Sequence, residues 1–81
     1  VIENIIEKYP NESFLKPDGF DEALIGVDIK SMRLVYSVSK CIQILSKDMN
    51  KIDAIEYFDF NVSGAYVGEK TPIWVDDIIS Q

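Results

Sequence analysis

The stretch ALIGVDIKSMRLVYSVSKCIQIL, residues 23–45, decides the fold. It opens with Ala23-Leu24-Ile25-Gly26-Val27, a short apolar run of the kind a largely buried strand needs. Gly26 inside that run marks a bulge or a close backbone approach. Asp28 to Met32 suits a hairpin connection, and Arg33-Leu34-Val35-Tyr36 reads as the return strand. From Ser37 the period changes. Val38, Cys41, Ile42, Leu45 and Met49 fall at i, i+3, i+4, i+7 and i+11, which is one face of a helix, and Ser37 stands where an N-cap belongs.

Working outward, Val1 to Lys8 reads as a short helix with Ile2, Ile5 and Ile6 on one face. Tyr9-Pro10-Asn11 ends it, because a proline disfavours helix in the residue before it. After Pro17, Asp18-Gly19 signals a turn. On the other side, Asn50 and Asp53 form a variant capping box that starts a further helix. Its apolar side is expected to be Ile52, Ile55, Phe58 and Val62. Gly64 and Gly68 bracket Ala65-Tyr66-Val67, Pro72 blocks further helix, and Ile73-Trp74-Val75 reads as a third strand. Asp76-Asp77 then caps a short tail helix or simply frays. The expected fold is α+β. It is a single domain, 1–81, in which a β-hairpin extended to a three-stranded antiparallel sheet packs against two or three helices. Residues 1–16 form an N-terminal helical extension to it.

Eighty-one residues with 47 % apolar content are one small globular domain. A chain of this length buries only roughly 60–65 % of its unfolded surface, so its core is thin. The single cysteine, Cys41, rules out an internal disulfide framework, which points to a reducing, cytoplasmic setting. No apolar run approaches the roughly 18 residues of a membrane span.

Residue types limit the chemistry. There is no histidine, so the usual imidazole base, triad member and metal ligand are missing. Zinc would need more than one Cys or His, and no glycine loop has the spacing that cradles a phosphate. Neither a metal nor a cofactor is expected, and no residue is assigned as catalytic. Asp59-Phe60-Asn61-Val62-Ser63-Gly64 does match the opening of a calcium-binding EF-hand loop. The closing acid should then fall on residue 70, which is Lys70, so the segment reads instead as a helix end running into a glycine turn. Asp18, Asp21 and Glu22, and Asp76-Asp77 beside Trp74, read as solvated acids rather than catalytic pairs. Cys41, on the apolar helix face, reads as a structural thiol.

Charge and aromatics carry the functional signal. The net charge is −6, and it is unevenly placed. From Ile52 onward the acids are Asp53, Glu56, Asp59, Glu69, Asp76 and Asp77, against Lys70 alone, whereas residues 1–51 hold eight acids and seven bases. A nucleic-acid binder wants a basic stripe, and this is its opposite. Tyr57, Phe58, Phe60, Tyr66 and Trp74 lie in the same acidic portion. Neighbours on a helix diverge by about 100°, so Tyr57 and Phe58 cannot both face the core. Exposed rings among acids have the anchor-and-rim makeup of a surface for a basic partner. The candidate binding residues are therefore Asp53, Glu56, Tyr57, Asp59, Tyr66, Glu69, Trp74, Asp76 and Asp77.

The runs Asp18-Gly19-Phe20-Asp21-Glu22-Ala23-Leu24-Ile25-Gly26, Val35-Tyr36 and Lys40-Cys41-Ile42 resemble small proteins of bacteriophages and their bacterial hosts. So does AIEYFDFNVSGAYVGEKTPIW, residues 54–74, the more specific part. The resemblance spans roughly Pro17 to Val75 and brings no activity with it. It implies a viral or mobile-element protein acting in the cytoplasm of a bacterium.

The leading expectation is a non-enzymatic interaction protein whose acidic-aromatic face occupies a basic site on a host protein, modulating or inhibiting it. Nucleic-acid mimicry is the sharpest form of that expectation, with neither nucleic acid nor membrane as a direct partner. Two rivals stand beside it. One is a small-ligand- or nucleotide-binding domain, its pocket rimmed by the Gly64–Gly68 segment and Asp18-Gly19. The other is a structural homo-oligomer joined through Ile2 to Ile6.

Overall fold

The computed structural model describes residues 2–77. Helix α1 spans Ile2–Lys8, strand β1 Leu24–Asp28 and strand β2 Arg33–Ser37. Helix α2 follows at Val38–Leu45, helix α3 at Lys51–Tyr57 and strand β3 at Ile73–Val75. A 3₁₀ turn at Asp21–Ala23 leads into β1, and a π-helix at Phe58–Ser63 continues directly from α3. The α+β class, the hairpin and the third strand stand where the residue pattern puts them.

The hairpin is built as its residues dictate. β1 and β2 pair antiparallel, Val27 opposite Leu34 and Asp28 opposite Arg33, with the register shifting between Leu24 and Gly26. Ile25 is the extra residue of that bulge, at the glycine that signalled it. The Asp28 carboxylate accepts from the backbone N–H and hydroxyl of Ser31, and the Met32 N–H donates to the Asp28 carbonyl at 2.7 Å. Met32 closes the turn at φ 55°, a left-handed conformation held without glycine.

The direction of β3 differs from expectation. It pairs with β2 in parallel, Val35 opposite Ile73 and Tyr36 opposite Trp74, so the sheet order is β1-β2-β3 and the sheet is mixed. A tight turn joins only antiparallel neighbours; parallel ones need a crossover of a dozen or more residues. Residues 38–72, carrying α2, α3 and the π-helix, supply it.

Ser37 caps α2 as expected, its hydroxyl accepting from the Lys40 N–H. The helix ends at Leu45, short of Met49, because Lys47 and Asp48 donate to carbonyls three residues back and tighten the chain into turns. Met49 still packs against the core from beyond the helix end. That core joins Ile5, Phe20, Ala23, Leu24, Leu34, Tyr36, Cys41, Ile42, Ala54 and Phe58. The apolar side of α3 is rotated from the expected one. With Ala54 at zero, Phe58 lies about 40° round the helix and Ile55 about 100°, but Ile52 lies about 160° away. Ala54 and Phe58 are buried accordingly, and Ile52 is 71 % exposed.

Candidate functional site

The chain from Ile52 to Glu69 presents large side chains and acids to solvent together. Asn50 starts α3, accepting from the Asp53 N–H at 2.8 Å while its amide donates to the Asp53 carboxylate at 3.2 Å. This is a capping box closed side chain to side chain. Asp53, Glu56 and Tyr57 then lie at i, i+3 and i+4, between about 200° and 300° from Ala54, on the solvent side. All three are exposed, as is Asp59 in the π-helix. Tyr57 is exposed while its neighbour Phe58 is buried, as their helical spacing requires.

Sequence reasoning left Phe60 out of the candidate set, yet it is 82 % exposed, more than any of the other exposed aromatics. Its signal was available: at 100° per residue Phe60 falls about 240° round from Ala54, within the solvent stripe of Asp53, Glu56 and Tyr57. Tyr66 is 77 % exposed and Val67 beside it 60 %. Glu69 is exposed in the turn that Gly68 makes at φ 114°.

Lys70, the lone base after Lys51, is turned away from these acids. Its ammonium donates to the Met32 carbonyl at 3.0 Å, pairs with Glu12 at 3.2 Å and stands over the Phe14 ring. Arg33 reaches across in the same region, its Nε donating to the Thr71 carbonyl at 2.6 Å. These contacts dock the 70–71 turn onto the hairpin. Among the described residues, no base forms an ion pair with Asp53, Glu56, Asp59 or Glu69.

Trp74 and Asp77 stand elsewhere than expected. Trp74 is not a free anchor: its ring meets Phe58 edge-on at 5.4 Å, Phe20 edge-on at 6.3 Å and Tyr36 at 5.4 Å. Register explains this, because pairing beside Tyr36 on the central strand sets the ring against the core. The Asp77 carboxylate is committed to α2, accepting from the Ser37 hydroxyl at 2.6 Å and the Ser39 N–H at 3.0 Å. Those bonds hold its pKa down at about 2. It caps a helix forty residues upstream in the chain, where the sequence suggested a tail helix of its own; that tail lies outside the described residues. Asp76 is exposed beside it.

Of the segments expected to rim a pocket, Ala65 and Val67 line a cavity, whereas Asp18-Gly19 does not line it and its neighbours Pro17 and Phe20 do. Leu15, Pro17 and Phe20 on one side face Val62, Ala65 and Val67 on the other, over Trp74, around a cavity of about 280 Å³. Its walls are mainly apolar, with Lys16 and Asn61 as the polar members. Ile6 is exposed on α1, as are Ile25 and Ile29 on the hairpin.

The chemistry of the remaining groups is quiet. Cys41 is fully buried, and burial pushes its thiol up to about 12. Among the described residues, no group of three His, Cys, Asp or Glu side chains could hold a metal ion, and the EF-hand-like segment is π-helix running into Gly64. No described helix is long and apolar enough to cross a membrane. No family model, curated protein or solved structure matches the chain.

Proposed function

We propose that this protein is a non-enzymatic interaction domain, acting in a phage or its bacterial host, which docks onto a basic surface of a host protein and modulates it. The observation that carries the reading is the joint exposure of Tyr57, Phe60, Tyr66 and Val67 among Asp53, Glu56, Asp59 and Glu69, with Lys70, the one base after Lys51 in the sequence, drawn to the hairpin. Exposed rings supply desolvation energy at an interface, and unpaired acids steer a cationic partner toward it. The rings also separate this reading from pure nucleic-acid mimicry, which needs charge alone. The cavity over Trp74 is smaller than the roughly 300–1,000 Å³ of small-molecule sites. It suits one apolar side chain inserted by the partner.

The test is affinity capture from a bacterial lysate, with a D53N/E56Q/D59N variant and an F60S/Y66S variant run beside the natural chain. A protein held by the natural chain should be lost with both variants. It should also be lost near 1 M salt, where the screening length falls to about 3 Å. If every captured protein survives both sets of substitutions, the face is only solvated surface and the proposal fails.

A further inference from the structure

Helix α3 has a second flank. Lys51 and Ile55 project at about 60° and 100° from Ala54, roughly 170° from the centre of the Asp53-Glu56-Tyr57 stripe. There they meet α2 across a groove of about 530 Å³. Ile42 and Ile55 form its apolar floor, while Ser39, Gln43 and Ser46 add two hydroxyls and an amide along the α2 wall. Lys47 and Lys51 stand at it from separate elements, one just past α2 and one opening α3.

Three observations fix the charge of what fits. None of the residues lining the groove is acidic, in a chain with fourteen acids. Residues 38–52 hold Lys40, Lys47 and Lys51 against Asp48 alone, so this is a basic stretch of an acidic protein. Among the described residues, neither Lys47 nor Lys51 forms an ion pair. The volume lies within the range of small-molecule sites, and an apolar floor with a few polar groups is their usual makeup. We propose that the α2–α3 groove binds a small amphipathic anion, a carboxylate on a hydrocarbon body. The hydrocarbon lies on Ile42 and Ile55, and the carboxylate is held between the Lys47 and Lys51 ammonium groups. Charge-assisted hydrogen bonds fix the head, and apolar burial holds the tail. This site is independent of the acidic-aromatic face and stands or falls apart from it.

The probe is decanoate, kept as dissolved monomer and titrated into isotope-labelled protein while backbone amide resonances are followed. Decanol and decyltrimethylammonium serve as neutral and cationic matches. Saturable shifts should centre on Ser39–Lys47 and Lys51–Ile55. Decanoate should bind about tenfold or more tightly than either match, and K47Q/K51Q should remove that preference. Both lysines are exposed, so the variant's unliganded spectrum reports directly that the fold is kept. Equal binding of decanol and decanoate, shifts centred on the Trp74 cavity, or no saturable shift each overturn the proposal.

Discussion

Removing the hydroxyl of Tyr36 should stabilise this protein. Tyr36 lies on the central strand, fully buried, packed against Trp74 at 5.4 Å. Its hydroxyl finds no hydrogen-bond partner among the described residues. A buried hydroxyl without a partner costs about 1–3 kcal/mol. Tyr36→Phe removes that cost and leaves a void of roughly one water-sized probe, ~10–15 Å³. At about 24 cal/mol per Å³ the void costs only ~0.3 kcal/mol. The net gain is therefore about 0.7–2.7 kcal/mol, and each kcal/mol raises Tm by about 4–8 °C in a domain of this size. Urea unfolding followed by both Trp74 fluorescence and far-ultraviolet circular dichroism measures it, with an unchanged slope showing that only stability moved. Tyr66→Phe, at an exposed ring, is the control and should stay within about 0.5 kcal/mol. A loss of 1 kcal/mol or more in Tyr36→Phe would refute the reasoning, because it would mean that the hydroxyl is bonded in solution.

Three further outcomes follow from groups held by the fold. Burial raises Tyr36 from 10.0 and Cys41 from 9.0, both to about 12. The unfolded chain therefore loses these protons first, and stability should fall as pH rises from about 9 to 12; a urea midpoint flat over that window contradicts it. Asp77 runs the other way. Its folded pKa of about 2 lies below the ordinary 3.8, so its contribution is present above pH 3.8 and is lost as pH falls toward 2. Asp77→Asn should lower stability at neutral pH and flatten that acid limb, and a variant that keeps the limb assigns it to other carboxylates. Met32→Gly should relieve the left-handed strain of the hairpin turn, worth about 1 kcal/mol less whatever its side chain packs. A clear destabilisation would show that the Met32 side chain matters more than its backbone.

Much of the framework was legible locally. A strand's alternation, a helix's 3.6-residue period, the caps at Ser37 and Asn50 and the bulge at Gly26 are all set by residues within a few positions of one another. So is the divergence of Tyr57 and Phe58. The apolar side of α3 was legible only in part: Ile52 is apolar but faces solvent, since a hydrophobic residue fits the pattern whether or not a neighbour covers it. Phe60 is exposed where a continuous helix would also put it, about 240° round from Ala54, so its place on the solvent side was legible in the spacing.

By itself the sequence determined the α+β class, the three strand segments, the missing imidazole chemistry and the gathering of acids and rings after Lys51. Those follow from residue type and short-range spacing. Only tertiary structure decided the rest. Ile73-Trp74-Val75 reads alike in either direction, and the crossover through α2 and α3 makes it parallel. That placement packs Trp74 against the core, sends Asp77 to the start of α2 and docks Lys70 on the hairpin. The acidic-aromatic surface was read from composition, but which of its members reach solvent depended on contacts between residues some forty positions apart, and no local spacing encodes those.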